Sequence, residues 1–234
     1  MISTERNFFA YLDEMNIITI LFPLSYYQGL SSSFSISCDF QEFPLKIMGK
    51  SQIENNIKYT CHLAEEISFG KPYWIIDEHG SKTDLQIGAV IRTETFDEKF
   101  YYVGNDLGVK VENNQTRFKL WAPTATQVKL KLRPPNTFFS EIVKMKREES
   151  GIWSAAVNQD LDSYQYTYLV LVNQEWREAV DPYAMAVTSN GEFGVVVKLG
   201  TNGRNQPYGK WKALLMLLFM KHILGTLRFI KIVE

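Results

Sequence analysis

Between Thr116 and Arg133 the chain alternates apolar and polar or basic residues twice, with one break. Phe118, Leu120 and Ala122 interleave with Arg117, Lys119 and Trp121, and then Val128, Leu130 and Leu132 interleave with Lys129, Lys131 and Arg133. Strict period-two alternation is incompatible with an amphipathic helix and predicts two strands, each with one face in a core and one in water. Pro123 has no N–H to give to a ladder, so Pro123-Thr124-Ala125-Thr126 reads as the turn between them. Two such strands need a partner sheet to cover their apolar face, and the rest of the chain must supply it.

The flanking sequence does so. Ile142–Met145, Ile152–Val157, Tyr164–Val172, Glu175–Glu178 and Val195–Val197 read as further strands. Turns fall at Glu148–Gly151 and Asn173-Gln174. Short strands at regular spacing predict an antiparallel sandwich. Upstream, Phe8–Leu12 and Asn16–Phe22 favour a hairpin over a helix because Ile17, Ile18, Thr19 and Ile20 are β-branched. Phe34, Ile36, Cys38 and Phe40 alternate with serines and Asp39 as a strand with those four facing inward. Ile57–Leu63, Tyr73–Ile76 and Leu85–Arg92 add strands, with Pro44, Gly49, Gly70, Pro72 and Gly80 as punctuation. Phe96–Phe100 reads as a short polar connection. The expected fold class is all-β: two consecutive antiparallel, immunoglobulin-like β-sandwich domains, residues 1–97 and 100–198, then a linker and an irregular or helical tail over 203–234.

Composition excludes some partners. Lys and Arg number 25 against 26 Asp and Glu, so no general field favours nucleic acid or an anionic membrane. Glu5 and Arg6 interrupt the N-terminus before any apolar signal region develops, which predicts a cytoplasmic protein with Cys38 and Cys61 reduced. Three scattered histidines offer no metal-ligand spacing, and no cofactor is implied. The apolar run Ala213–Met220 is far shorter than the roughly 20 residues of a membrane span.

Phe-Lys-Leu-Trp-Ala-Pro-Thr-Ala (118–125), preceded by Asn105-Asp106-Leu107-Gly108, resembles the start of the β-sandwich module that precedes the catalytic barrel in isoamylases, pullulanases and glycogen-branching enzymes. From Arg6 to about Val197 the chain resembles the N-terminal third of a bacterial type I pullulanase, a debranching glycoside hydrolase. The resemblance implies a non-catalytic part of such an enzyme, with at most weak α-glucan binding. A docking module for a separately encoded catalytic barrel is the alternative.

Under that resemblance Trp176 is the stronger sugar-contact candidate. The run from Gln165-Tyr166-Thr167-Tyr168 through Asn173-Gln174-Glu175-Trp176 to Asp181-Pro182 resembles glycogen-binding relatives whose corresponding Trp stacks on glucose. Those relatives carry a lysine where Thr167 stands, so sugar contact and structural packing both remain open for Trp176. Trp121 is the second candidate, with framework packing the favoured reading. Asp181-Pro182-Tyr183-Ala184 matches a family motif and reads as fold-specifying. No acidic pair matches the family's catalytic motifs, and Asp77-Glu78-His79 reads as a turn because neighbouring strand residues face opposite ways. From Lys210 to Glu234 the residues fit a frameshifted reading whose other register resembles the first barrel strand of the pullulanases. A membrane-surface helix is the competing reading of the same stretch.

Overall fold

The computed structural model describes residues 6–198, so the expectations for the tail from Gly203 to Glu234 lie outside the described residues. The chain divides into two compact units between Phe100 and Tyr101. Both are built on strands, as the alternation predicts.

The first unit carries seven strands: β1 (Phe9–Leu12), β2 (Ile17–Pro23), β3 (Phe34–Cys38), β4 (Gln41–Ile53), β5 (Asn56–His62), β6 (Trp74–Asp77) and β7 (Lys82–Ile87). They form a closed ring in the order β1-β2-β5-β4-β3-β6-β7. Two strands switch partners to close it. The first five residues of β4 pair with β3 and its remainder pairs with β5. Likewise β7 pairs with β6 through Lys82–Asp84 and with β1 through Leu85–Ile87, and this last pairing is parallel. All other pairs in the unit are antiparallel. The core is aromatic: Phe8, Phe22, Phe34 and Tyr59 are buried with ring centroids 5.1–6.3 Å apart. The Tyr59 hydroxyl donates to the Gly29 carbonyl at 2.9 Å, so the one polar atom on that cluster is satisfied.

Four local expectations change, the first being the strand expected over Leu85–Arg92, which ends at Ile87 and gives way to a short 3-10 helix at Ala89–Arg92. β4 runs through Pro44 and Gly49, which sequence reading takes as punctuation. Pro44 lies in the short stretch paired with β3, and Gly49 sits where the β4–β5 register shifts, a bulge just beyond the point at which the strand changes neighbours. Phe40 does not face inward. With Asp39 it forms the tight β3–β4 turn at positive φ (50° and 65°), which leaves its ring exposed. Phe96–Phe100 belongs to a helix, α1 (Glu94–Phe100), not a connection. The Thr93 hydroxyl accepts from the Phe96 N–H at 3.2 Å as an N-cap, and Phe96 and Phe100, one turn apart, pack on Phe69 at 5.4 and 5.1 Å.

The second unit is a sandwich of two antiparallel sheets. Its strands are β8 (Gly108–Glu112), β9 (Gln115–Trp121), β10 (Gln127–Arg133), β11 (Glu141–Lys144), β12 (Lys146–Arg147), β13 (Ile152–Val157), β14 (Gln165–Val172), β15 (Glu175–Ala179) and β16 (Gly194–Val195). One sheet runs β12-β13-β9-β8. The other runs β11-β10-β14-β15, with β16 also on β14. Phe118, Leu120 and Trp153 face Leu130, Tyr166, Tyr168 and Val170 across the sandwich, all buried, with the Phe118 and Tyr166 rings 5.3 Å apart. The Ala-Pro-Thr-Ala turn is fixed from three directions. Trp153 Nε1 donates to the Ala122 carbonyl at 3.0 Å, Arg147 Nη2 donates to the Pro123 carbonyl at 2.9 Å, and the Ala122 N–H donates to the Gly151 carbonyl at 3.0 Å. Cys38 and Cys61 are both free thiols, and burial pushes Cys61 up to about 12.

Candidate functional site

β14 sits in the middle of the larger sheet, and its alternation decides what the sheet shows to solvent. Tyr166, Tyr168, Val170 and Val172 fill the core, so Thr167, Leu169 and Leu171 lie on the outer face. Register then places the neighbours. Leu171 stands opposite Trp176 and Leu169 opposite Glu178 on β15, while Lys129 stands opposite Leu169 and Lys131 opposite Thr167 on β10. One outer face therefore gathers Trp176, Glu178, Leu169, Leu171, Thr167, Lys129 and Lys131.

Trp176 is 41% exposed. Lys129 reaches across β14 to hold its ammonium 4.3 Å from the centre of the Trp176 ring, a cation–π contact that fixes the ring's orientation. An indole presented this way offers an apolar face to a flat, partly apolar ligand. The other half of the face is polar. Glu178 accepts from the Thr167 hydroxyl at 2.7 Å and from Lys131 at 2.9 and 3.1 Å. Partial burial raises the Glu178 carboxyl, but the Thr167 hydrogen bond and the Lys131 ammonium outweigh it and leave it below the ordinary carboxylate range. A carboxyl held low in the folded state stabilises the fold above its unfolded value, and that contribution vanishes as pH falls through the folded value. Thr167→Val, which keeps the shape and removes the hydroxyl, is expected to cost about 1 kcal/mol near neutral pH. That difference should shrink once pH drops below the carboxylate range, as read by urea unfolding at each pH.

Trp121 lies elsewhere. It belongs to β9, on the outer face of the other sheet, and is half-buried opposite Ile152. Its lysine-rich face is neutralised: Lys119 donates to Asp106 at 2.7 Å and lies 3.9 Å from Glu148. The Lys119 and Tyr102 hydrogen bonds hold the Asp106 carboxyl low. The structure thus separates the two candidate tryptophans onto opposite faces of the sandwich, and they cannot line one subsite.

The remaining acidic candidates are structural. Asp77 is buried and accepts from the N–H groups of His79 and Ser81 at 3.0 and 2.7 Å and from the Tyr26 hydroxyl at 3.0 Å, which makes Asp77-Glu78-His79 the start of the β6–β7 turn. Asp160 pairs with Lys198 at 2.6 Å. Asp181 is buried. Its Oδ2 accepts from the Tyr166 hydroxyl at 2.8 Å and its Oδ1 from the Tyr183 N–H at 2.9 Å, so it ties the exit of β15 back onto β14. Among the described residues no three His, Cys, Asp or Glu side chains converge on a point that could hold a metal.

Residues 8–92 match the family described as Pullulanase N1-terminal domain. Residues 106–184 match Carbohydrate-binding module 48, the isoamylase N-terminal domain. The chain carries a pullulanase N1-terminal domain followed by a carbohydrate-binding module 48. The pullulanase of Bacillus subtilis strain 168 is 42% identical over 198 residues, which is 85% of this chain but 27% of that protein. Among solved structures, pullulanase from Anoxybacillus sp. LM18-11 complexed with maltotriose superposes with a TM-score of 0.81 at 42% identity, covering 86% of this chain and 29% of that one. Pullulanase type I from Bacillus subtilis str. 168 complexed with maltose gives a TM-score of 0.82 at 41% identity, with 89% and 29% covered. The chain spans less than a third of the length of these pullulanase relatives. Its described residues contain none of the catalytic barrel of the parent glycoside hydrolases.

Lys129, Thr167, Lys131 and Glu178 escape the reading of the sequence as site residues. Each is separated by tens of residues from at least one partner it meets, and only strand register brings them together. The one available signal is parity: Lys129 and Lys131 alternate with buried Val128, Leu130 and Leu132, and Thr167 alternates with the buried Tyr166 and Tyr168.

Proposed function

We propose that the second domain holds α-glucan on the outer face of its larger sheet, with Trp176 as the stacking platform, in the service of an enzyme that hydrolyses α-1,6 branch links. The observation that carries this is a half-exposed indole, held by Lys129, on the open face of a domain that matches a carbohydrate-binding module. Solved relatives were complexed with maltotriose and with maltose, which supports sugar as the ligand class. Leu169 and Leu171 beside the ring extend the apolar floor, while Glu178 and Lys131 offer an acceptor and a donor to sugar hydroxyls. One stacked ring gives a shallow site, so affinity is expected to be about millimolar. Titration calorimetry with maltoheptaose checks it: the full chain binds, and Trp176→Ala loses binding at least about tenfold while its unfolding midpoint is unchanged. Undiminished binding by Trp176→Ala would remove the site.

A second reading is favoured by one observation. Phe138 and Phe139, in the loop between β10 and β11, are 97% and 86% exposed. Adjacent exposed aromatics suit a protein interface, which fits a module that docks on a catalytic barrel. Co-purification of such a barrel, lost in Phe138→Ser/Phe139→Ser, would support it. A monodisperse monomer beside an added barrel would count against it.

A further inference from the structure

The face around Trp176 carries a charge arrangement that a neutral sugar does not use. Lys129 on β10 and Lys144 on β11 are directly opposed and project from the same outer face. Opposed like charges on adjacent strands repel, and sequences normally avoid or neutralise them. Their neighbour Lys131, on the same face of β10, is neutralised by Glu178. Among the described residues no carboxylate pairs with Lys129 or Lys144. Lys129 instead holds its ammonium over one face of the Trp176 ring, 4.3 Å from its centre. Two ammoniums without a carboxylate partner therefore originate on the β10–β11 side of the Trp176 platform, with Leu169 and Leu171 of β14 between those strands and β15.

We propose that this face prefers a glucan bearing a phosphomonoester over a neutral one, the phosphate lying between Lys129 and Lys144 while a glucose ring stacks on Trp176. The proposal rests on the glucan reading of Trp176 given above. A phosphomonoester carries close to two negative charges at neutral pH, matching two ammoniums, and accepts charge-assisted hydrogen bonds from both. It gains charge pairing that a neutral ligand cannot make, so the gain appears as selectivity between the two ligands.

The test titrates the full chain with maltoheptaose and with maltoheptaose carrying a single 6-phosphate, in low and in high salt. At low salt the phosphorylated sugar is expected to bind about tenfold tighter, and the advantage should fade as salt screens the pair. Lys144→Gln, a change at an exposed position, should abolish the advantage and leave neutral maltoheptaose binding within about twofold. Trp176→Ala should weaken both ligands. Equal affinity for the two sugars, with neutral binding intact, overturns the phosphate preference and leaves the glucan reading standing. Binding of neither sugar overturns both. Inorganic phosphate that competes as well as the phosphorylated sugar, with undiminished affinity in Trp176→Ala, also overturns the proposal, because it marks an anion site with no sugar component.

Discussion

Asp181→Ala is expected to destabilise the second domain by about 3 kcal/mol. Asp181 is 1% exposed, and its two oxygens accept from the Tyr166 hydroxyl and the Tyr183 N–H at 2.8 and 2.9 Å. Truncation to Ala leaves both donors facing a gap. A buried donor without a partner costs roughly 1–3 kcal/mol, and the loss of a charged acceptor lies at the upper end of that range. Tyr166 is a core residue of β14, so the damage reaches the strand on which the candidate site is built. Asp181→Asn keeps the shape and one acceptor oxygen and should cost less than half as much. Chemical denaturation of the three proteins checks the ranking. Equal stabilities would show that the Asp181 carboxylate is replaceable and that the match to the family's Asp-Pro-Tyr-Ala motif has another cause.

The second large effect is at Gly151. Its φ of +74° is in the left-handed region, and a Cβ there would stand 2.4 Å from Pro123 Cβ and 2.5 Å from Pro123 Cα. Pro123 cannot move aside, since its carbonyl accepts from Arg147 and the neighbouring Ala122 N–H donates to Gly151 itself. Gly151→Ala combines left-handed backbone strain of about 1 kcal/mol with overpacking of about 2 kcal/mol or more, so a loss of about 3 kcal/mol is expected. Gly191 has nearly the same φ, +72°, but a Cβ added there would have nothing within 4 Å, so Gly191→Ala isolates the strain and should cost only about 1 kcal/mol. A Gly151→Ala protein as stable as Gly191→Ala would show that the Pro123 turn can yield.

These two positions also show what a sequence of this kind reveals. The β9–β10 pair is legible from Phe118 to Leu132 because each strand has one buried and one wet face, and that contrast is written as alternation. The long run from Tyr166 to Val172 is legible for the same reason. β4 is not, because a strand that changes neighbours and leaves most of its residues exposed has no constant buried phase to print in the sequence. α1 is hidden by its length: two turns bury only Phe96 and Phe100, too few repeats for a period to stand out. The Asp181 motif could be recognised, but its partners Tyr166 and Tyr183 could not be assigned without the fold. The candidate site divides in the same way. Trp176 is visible through the family resemblance of the run from Gln165 to Pro182. The Lys129 contact and the Thr167–Glu178–Lys131 network depend on pairing across β14, which no local pattern encodes.

The proposed function puts sugar on the outer face of the larger sheet and on no other surface of the second domain. Tryptophan indole N–H signals, one for each of the five tryptophans, report this in a two-dimensional NMR titration of the full chain with maltoheptaose. The Trp176 indole is expected to move, together with the backbone amides of Lys129, Leu169 and Leu171, while the indoles of Trp121 and Trp153 stay in place. A titration that moves Trp121 and leaves Trp176 still, or one that moves no signal at millimolar sugar, would overturn that placement.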